Sequence, residues 1–351
     1  MSLALSIIVS AGAFGAEEDS ALLKRAYHEG AEYYVEINRV MQQTFISAFL
    51  GPLTKTDFRQ LTGVMEKTVS VSESGEAKLE LTFDRVAQRV SAMQDLWRYD
   101  SDGGAHDMLL KRVMAPLIGK RVTLRIDAAG KPIALEGMLP IVEEMEMGSL
   151  DDPASAQFFG QIKEELADAP QRFLWADMSL GLLPNRKVQV GETWNVTVRQ
   201  PMVYIGAVLR EYTCTLEALE ENNGRPVARI SYQAKCKVAP DAESTLSASG
   251  LPMEYLGGTV TGTMLFDMTL SIIVYQDEQL EATQATEMPI PEKPEVVQQL
   301  TVEQTARVVM RRLELAQRAE QKKRHVQGAR PRRNQPPPKP APSATPGDPQ
   351  R

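Results

Sequence analysis

Cysteine, histidine and long apolar runs are scarce in this chain, and each scarcity removes a class of function. Two cysteines, Cys214 and Cys236, in 351 residues cannot frame a disulfide-stapled fold or supply a four-thiolate zinc site. The three histidines, His28, His106 and His325, are scattered, so no His-Glu-x-x-His pattern sets two imidazoles on one helical face for a metal. No nucleophile elbow presents a serine, and no partner carboxylate stands at a defined spacing from Glu192 for acid–base work. Beyond the N-terminus, no segment approaches the roughly 18 uninterrupted apolar residues of a membrane span. These gaps predict a protein with no metal, no cofactor and no enzymatic activity.

What is present begins with a compartment signal. Leu3 to Phe14 is uncharged and apolar, followed by Ala13-Phe14-Gly15-Ala16 and the acidic Glu17-Glu18-Asp19. That arrangement matches a secretory core with a small-residue cleavage site, so residues 1–16 are expected to be a signal peptide and the mature chain periplasmic or extracellular. No basic residue precedes the run, against the usual pattern. The formal charge of −7 hides an asymmetry: Arg318 to Arg351 carries nine Lys or Arg against Glu320 and Asp348. The tail is therefore +7 and the rest −14. An acidic body offers no basic face for phosphates, so no nucleic-acid partner is expected. From Gly328 onward Pro, Arg, Gln and Ala leave nothing to bury, and the tail should be disordered.

Between these ends the chain alternates in the manner of antiparallel strands. Val64 to Val71 and Leu79 to Val90 predict a hairpin, with the face of Val69 and Val71 matching that of Leu79, Leu81 and Phe83 if Ser74-Gly75-Glu76 is a three-residue loop. Leu96 to Tyr99 is a short strand, and Met108 to Ile118 has the apolar spacing of a short helix stopped by Gly119. Val122 to Gly137 predicts a hairpin turning at Ala129-Gly130, with Ile126 opposite Ile133 and Leu124 opposite Leu135. Asp152-Pro153 is a helix start, giving a helical insertion at about 153–175. The stretch Leu182 to Val198 then organises the middle of the chain. Pro184 stops regular pairing, Gly191 takes a positive φ, and Trp194, Val196 and Val198 alternate into a new strand, with Trp194 buried. Val208 to Leu219 pairs with Val227 to Val238, Thr259 to Tyr275 is a long strand, and Leu280 to Met288 is its partner. Val297 to Leu313 fits strand or helix; the proline-rich connection before it favours a strand returning beside Leu280 to Met288.

The cysteines permit a geometric argument. Pairing the apolar faces of their two strands needs an even register, which a three-residue Asn222-Asn223-Gly224 loop supplies if Gly224 is left-handed. Cys214 then opposes Tyr232 and Cys236 opposes Arg210. The offset separates the thiols by roughly 13 Å along the strands, past the reach of about 7 Å between Cα atoms that a disulfide tolerates. Two buried free thiols are expected.

Other clusters are decoys. Asp100-Ser-Asp102-Gly-Gly-Ala-His106-Asp107 lacks the ligand spacing of a calcium loop and reads as a polar turn. Met138 to Met147 mixes methionine with Glu143, Glu144 and Glu146 and reads as an acidic surface segment whose methionines pack on the core. Glu192 reads as a solvated turn residue. The 16 methionines spread too evenly for a metal site, yet suit a pliable apolar cavity.

With Leu183-Pro184, Val190-Gly191-Glu192-Thr193-Trp194, the strand Arg121 to Ile126 turning at Gly130, Tyr99-Asp100-Ser101 and Val227-Ala228 in view, the chain resembles a family of exported bacterial β-rich proteins of unknown function. The resemblance covers about Ala31 to Leu313. It implies a half-barrel like those of periplasmic lipoprotein and lipid carriers, and it brings no catalytic residue. The expected fold is therefore α+β and β-dominated: a large curved antiparallel sheet, an incomplete barrel covered by one or two helices, over residues 17–315. Residues 316–351 form the basic tail. Pro184, Gly191, Trp194, Gly130 and Gly224 define the fold. The expected function is non-enzymatic binding of a hydrophobic, acyl or lipid-like molecule; the alternative is a structural envelope protein tethered by its tail to an anionic polymer or surface.

Overall fold

A computed structural model describes residues 19–48, 50–92, 95–103, 107–128, 130–145, 180–202, 205–242, 253–290 and 293–319. The expected signal peptide, His106, Ala129, the helical insertion at 153–175 and the tail past residue 319 lie outside the described residues. By contacts the chain divides after Leu313. The described part of the second unit is residues 314–319, helical over 315–319.

The first unit is an open antiparallel sheet. Strands β2 (Glu32–Ser47), β3 (Gly51–Val71) and β4 (Ala77–Ala92) form a meander. The first half of β4 then pairs with β6 (Arg121–Ile126) and its second half with β5 (Asp95–Asp100); β7 (Pro132–Glu136) edges this wing. The other wing runs β9 (Thr193–Met202), β10 (Gly206–Asn222), β11 (Arg225–Val238), β12 (Met253–Asp267), β13 (Ile272–Ile290) and β14 (Lys293–Glu314). The spatial order is β7-β6-β4-β3-β2-β14-β13-β12-β11-β10-β9, with β5 on β4, so 12 strands form one sheet whose edges β7 and β9 do not meet. Short strands β1 (Ser20–Leu22) and β8 (Lys187–Gln189) pair separately. The segment Val297 to Leu313 is strand, within β14.

Two apolar clusters fill the interior rather than one shared core. Trp194, Leu216, Ile230, Met264 and Phe266 belong to the larger, which includes Val35 and Ile37 of β2. Leu79, Leu81, Phe83, Leu124 and Ile126 belong to the other. Helix α1 (Met108–Met114) contributes Leu110, Val113 and Met114 to that second cluster, and α2 (Met138–Glu144) contributes Met138 and Ile141. The methionine-rich acidic segment is thus a helix with Met138, Ile141 and Met145 buried, its spacing of three and four hidden among the glutamates.

Bulges account for most departures from the expected registers. A bulge between Thr68 and Ser70 extrudes Val69, which is exposed, so the buried parity is Val64, Glu66 and Thr68. In the β6–β7 hairpin Leu124 faces Leu135 as expected, but a bulge at Arg125/Ile126 puts Pro132 opposite Ile126 and leaves Ile133 exposed. Asp127 closes that turn, its carboxylate accepting from the Lys131 N–H at 2.8 Å. The expected strand Thr259 to Tyr275 is broken. Buried Asp267 accepts from the Thr269 and Leu270 N–H groups, each at 2.9 Å, turning the chain by a side-chain mimic of a backbone turn before β13 starts.

Candidate functional site

The cysteine-bearing hairpin β10–β11 carries the centre of the site. Cys214 faces Tyr232 and Cys236 faces Arg210, the register derived from the sequence, but its cause differs. The turn has two residues, Asn223 (φ 53) and Gly224 (φ 77), as in a type I′ hairpin. A bulge between Leu216 and Ala218 then makes the register even, and Leu219 packs against the core. Both cysteines are buried and unbridged.

Around them lies a buried polar network. Arg210 donates to Glu278 Oε1 at 3.0 Å and to the Tyr212 hydroxyl at 3.1 Å. The Tyr232 hydroxyl donates to Glu278 Oε2 at 3.2 Å and accepts from Gln276 Nε2 at 2.8 Å. Tyr212 and Tyr232 meet edge to face with ring centroids 5.8 Å apart, a favourable quadrupole arrangement. Burial pulls the Arg210 pKa down, but Tyr212 and Glu278 outweigh it and the net shift is upward, so the guanidinium stays charged. Burial, then Glu278, pushes the Tyr232 phenol well above its ordinary 10.0. Burial pushes the Cys214 thiol up to about 12 and raises Cys236 despite the opposing Arg210.

Glycines make room for the tyrosines. Gly262 pairs with Tyr232 across β11–β12, and a Cβ there would lie 2.4 Å from the Tyr232 ring and 2.7 Å from the Asp277 carbonyl oxygen. At Gly258 a Cβ would lie 2.5 Å from the Tyr255 hydroxyl. The Gly262–Tyr232 contact is a cross-strand pair, invisible until the register is known.

Beside this network the same face of the sheet encloses a cavity of about 150 Å³. Met41, Met202, Val208, Leu280, Ala282, Ala306 and Val308 supply its apolar wall. Arg39, Gln200, Arg210, Tyr255, Glu278, Gln284 and Gln304 supply its polar part. Strands β2, β9, β10, β12, β13 and β14 therefore all reach it. The Gln200 Oε1 atom is buried with no partner among the described residues.

The residues expected to define the fold hold backbone roles. Gly130 (φ 87), Gly191 (φ 84) and Gly224 (φ 77) take left-handed conformations. Pro184 follows the 3₁₀ turn Leu180–Leu182, and Trp194 is buried, its indole N–H donating to the Leu182 carbonyl at 2.7 Å. Glu192 is bound within its turn, accepting from the Gln189 N–H and from Arg186, contacts that hold its carboxyl below the ordinary range. Asp100 and Asp102 are both engaged by Arg85. Among the described residues no three His, Cys, Asp or Glu side chains gather as a metal site, and no helix is long and apolar enough to cross a membrane. The sequence suggested an apolar cavity without naming its lining, because that lining is assembled from residues on six strands far apart in the chain.

No curated protein matches the chain. Among solved structures it is similar to lipovitellin, described for its lipid–protein interactions, at 8% identity and a TM-score of 0.41, covering 81% of this chain and 25% of that one. The chain thus spans a quarter of that protein's length. It is also similar to DynF from the dynemicin biosynthesis pathway of Micromonospora chersina, at 8% identity and a TM-score of 0.17, covering 86% of this chain and 89% of that one. Likenesses this remote say nothing of a ligand or an activity. A family model matches residues 74–273, from the β3–β4 turn to the first residues of β13, more than half of the chain and including Arg210, Tyr232 and Tyr255. The chain belongs to that family, DUF6263, a family of unknown function.

Proposed function

We propose that this protein is a non-enzymatic binding protein that takes the apolar end of an acyl or lipid-like molecule into the cavity between β2, β9, β10 and β12–β14. The observation that carries the reading is the cavity itself: a pocket whose apolar wall includes Met41 and Met202 on one side, with a polar cluster around the Arg210–Glu278 ion pair on the other. Apolar pockets with a few convergent polar groups are the usual form of small-molecule sites. Methionine walls adapt to irregular ligands. A void of about 150 Å³ has room for a group the size of one benzene; in this reading the apolar group lies against Met41, Met202 and Leu280, and a longer chain extends through the opening. Export is part of this reading, supported by the apolar run Leu3 to Phe14.

An environment-sensitive apolar fluorophore, displaced by fatty acids and by matched alcohols, tests it. Saturable displacement by wild type and a weakening of about tenfold or more in Ala306→Phe, which fills the cavity, are expected. Equal displacement by both proteins would place the ligand elsewhere.

A further inference from the structure

On the opposite face from the second core cluster, three arginines stand in one row. Arg59 of β3 lies directly across from Arg89 of β4, and Arg89 directly across from Arg98 of β5. All three are exposed, and none makes an ion pair among the described residues. Directly opposed residues of an antiparallel pair hold their Cβ atoms about 4.5–5.5 Å apart, and like charges there destabilise the sheet. The row is therefore maintained at a cost to folding, within a chain whose residues before the tail sum to −14.

The surroundings of the row combine exposed leucines, a lysine and two carboxylates. The next row toward the hairpin turns is Asp57, Ser91 and Leu96, with Leu96 exposed at 44%. Lys55 is exposed one step further along β3. Beyond it, Leu53 at the start of β3 and Leu50 in the β2–β3 turn are 44% and 74% exposed. In the row on the other side Asp100 is occupied by Arg85 at 3.2 Å, which leaves Asp57 as the carboxylate next to the arginines in register.

We propose that this face docks on an anionic phospholipid surface, with Arg59, Arg89 and Arg98 on lipid phosphates and Leu96, Leu53 and Leu50 in the interfacial layer. Guanidinium forks match phosphate oxygens in pairs, a row of three spans neighbouring headgroups, and exposed leucines beside cations are the composition of an interfacial contact. The site shares no residue with the cavity lining or with the basic tail, and stands whether or not a ligand occupies the cavity.

The test is flotation of the full-length chain with vesicles of phosphatidylcholine alone or mixed with phosphatidylglycerol. Binding to the mixed vesicles that weakens as salt is raised is expected. Neutralising the row by Arg59→Gln, Arg89→Gln and Arg98→Gln together should lower partitioning on the order of a hundredfold while leaving the thermal midpoint unchanged or raised. Arg89→Gln alone should give about fivefold and serves if the triple variant folds poorly. Leu53→Ser with Leu96→Ser should weaken binding without altering its salt dependence. A tail variant with Arg330, Arg332 and Arg333 changed to Gln should bind as wild type. Equal binding to both vesicle types, a triple variant that binds as wild type, loss that follows the tail variant, or retention on heparin without vesicle binding would each overturn the proposal.

Discussion

Glu66 and Arg312 are 246 residues apart in the chain and 2.9 Å apart in the fold, both side chains buried. Glu66 is on β3 of one wing and Arg312 on β14 of the other. Arg25 reaches the second Glu66 oxygen at 3.5 Å and lies 4.5 Å over the Tyr27 ring, while Arg312 also donates to the Ile273 carbonyl. Removing the one carboxylate strands two buried guanidiniums. Glu66→Ala is expected to lose about 3–5 kcal/mol of stability, read as a lower urea midpoint; a change within measurement error would show that the cluster does not hold the wings.

The same carboxylate sets an acid limit. Burial pushes the Glu66 pKa up, but Arg312 and Arg25 outweigh it, so the folded value is below the ordinary 4.5. A depressed folded pKa stabilises above the unfolded value and is lost as pH falls through the folded one. The stability gap between wild type and Glu66→Gln should therefore be constant near neutrality and narrow as pH drops below 4.5. A gap that widens on acidification would contradict the assignment.

Gly262→Ala and Gly191→Ala should separate two roles of glycine. At Gly262 an added Cβ meets the Tyr232 ring and a carbonyl of β13, an overpacking cost of roughly 1–3 kcal/mol. At Gly191 (φ 84) the space is open, so the cost is conformational, about 1–2 kcal/mol. Comparison of thermal midpoints checks the order, and Gly262→Ala should also shift the Tyr232 environment in near-ultraviolet circular dichroism.

The sheet was legible in the sequence because alternation of apolar and polar residues is a local signal. The cysteine register follows from the sequence although the turn does not, since apolar faces must pair whichever irregularity makes them do so. What escaped notice was set by single inserted residues. Val69 and Ile133 look like core on parity alone and are exposed because a bulge shifts the pairing nearby. Asp267 ends a strand through side-chain hydrogen bonds that a hydrophobicity pattern does not register. The cavity and the Glu66 cluster depend on partners more than a hundred residues away, so neither has a local signature.

Both thiols should be inert in the folded protein. Burial holds Cys214 at about 12, and the thiolate is the reactive form. A colorimetric disulfide reagent should react at the rate of unfolding and modify both cysteines promptly in denaturant. Prompt reaction of the native protein, or a Cys214–Cys236 bond in non-reducing peptide maps, would contradict the described packing.

Native mass spectrometry of the protein purified without detergent or organic solvent tests the central claim most directly. The account predicts a population carrying an apolar molecule, released on denaturation and absent from Ala306→Phe prepared in the same way. A uniformly ligand-free wild-type protein that also fails to take up added fatty acid or alcohol would contradict it.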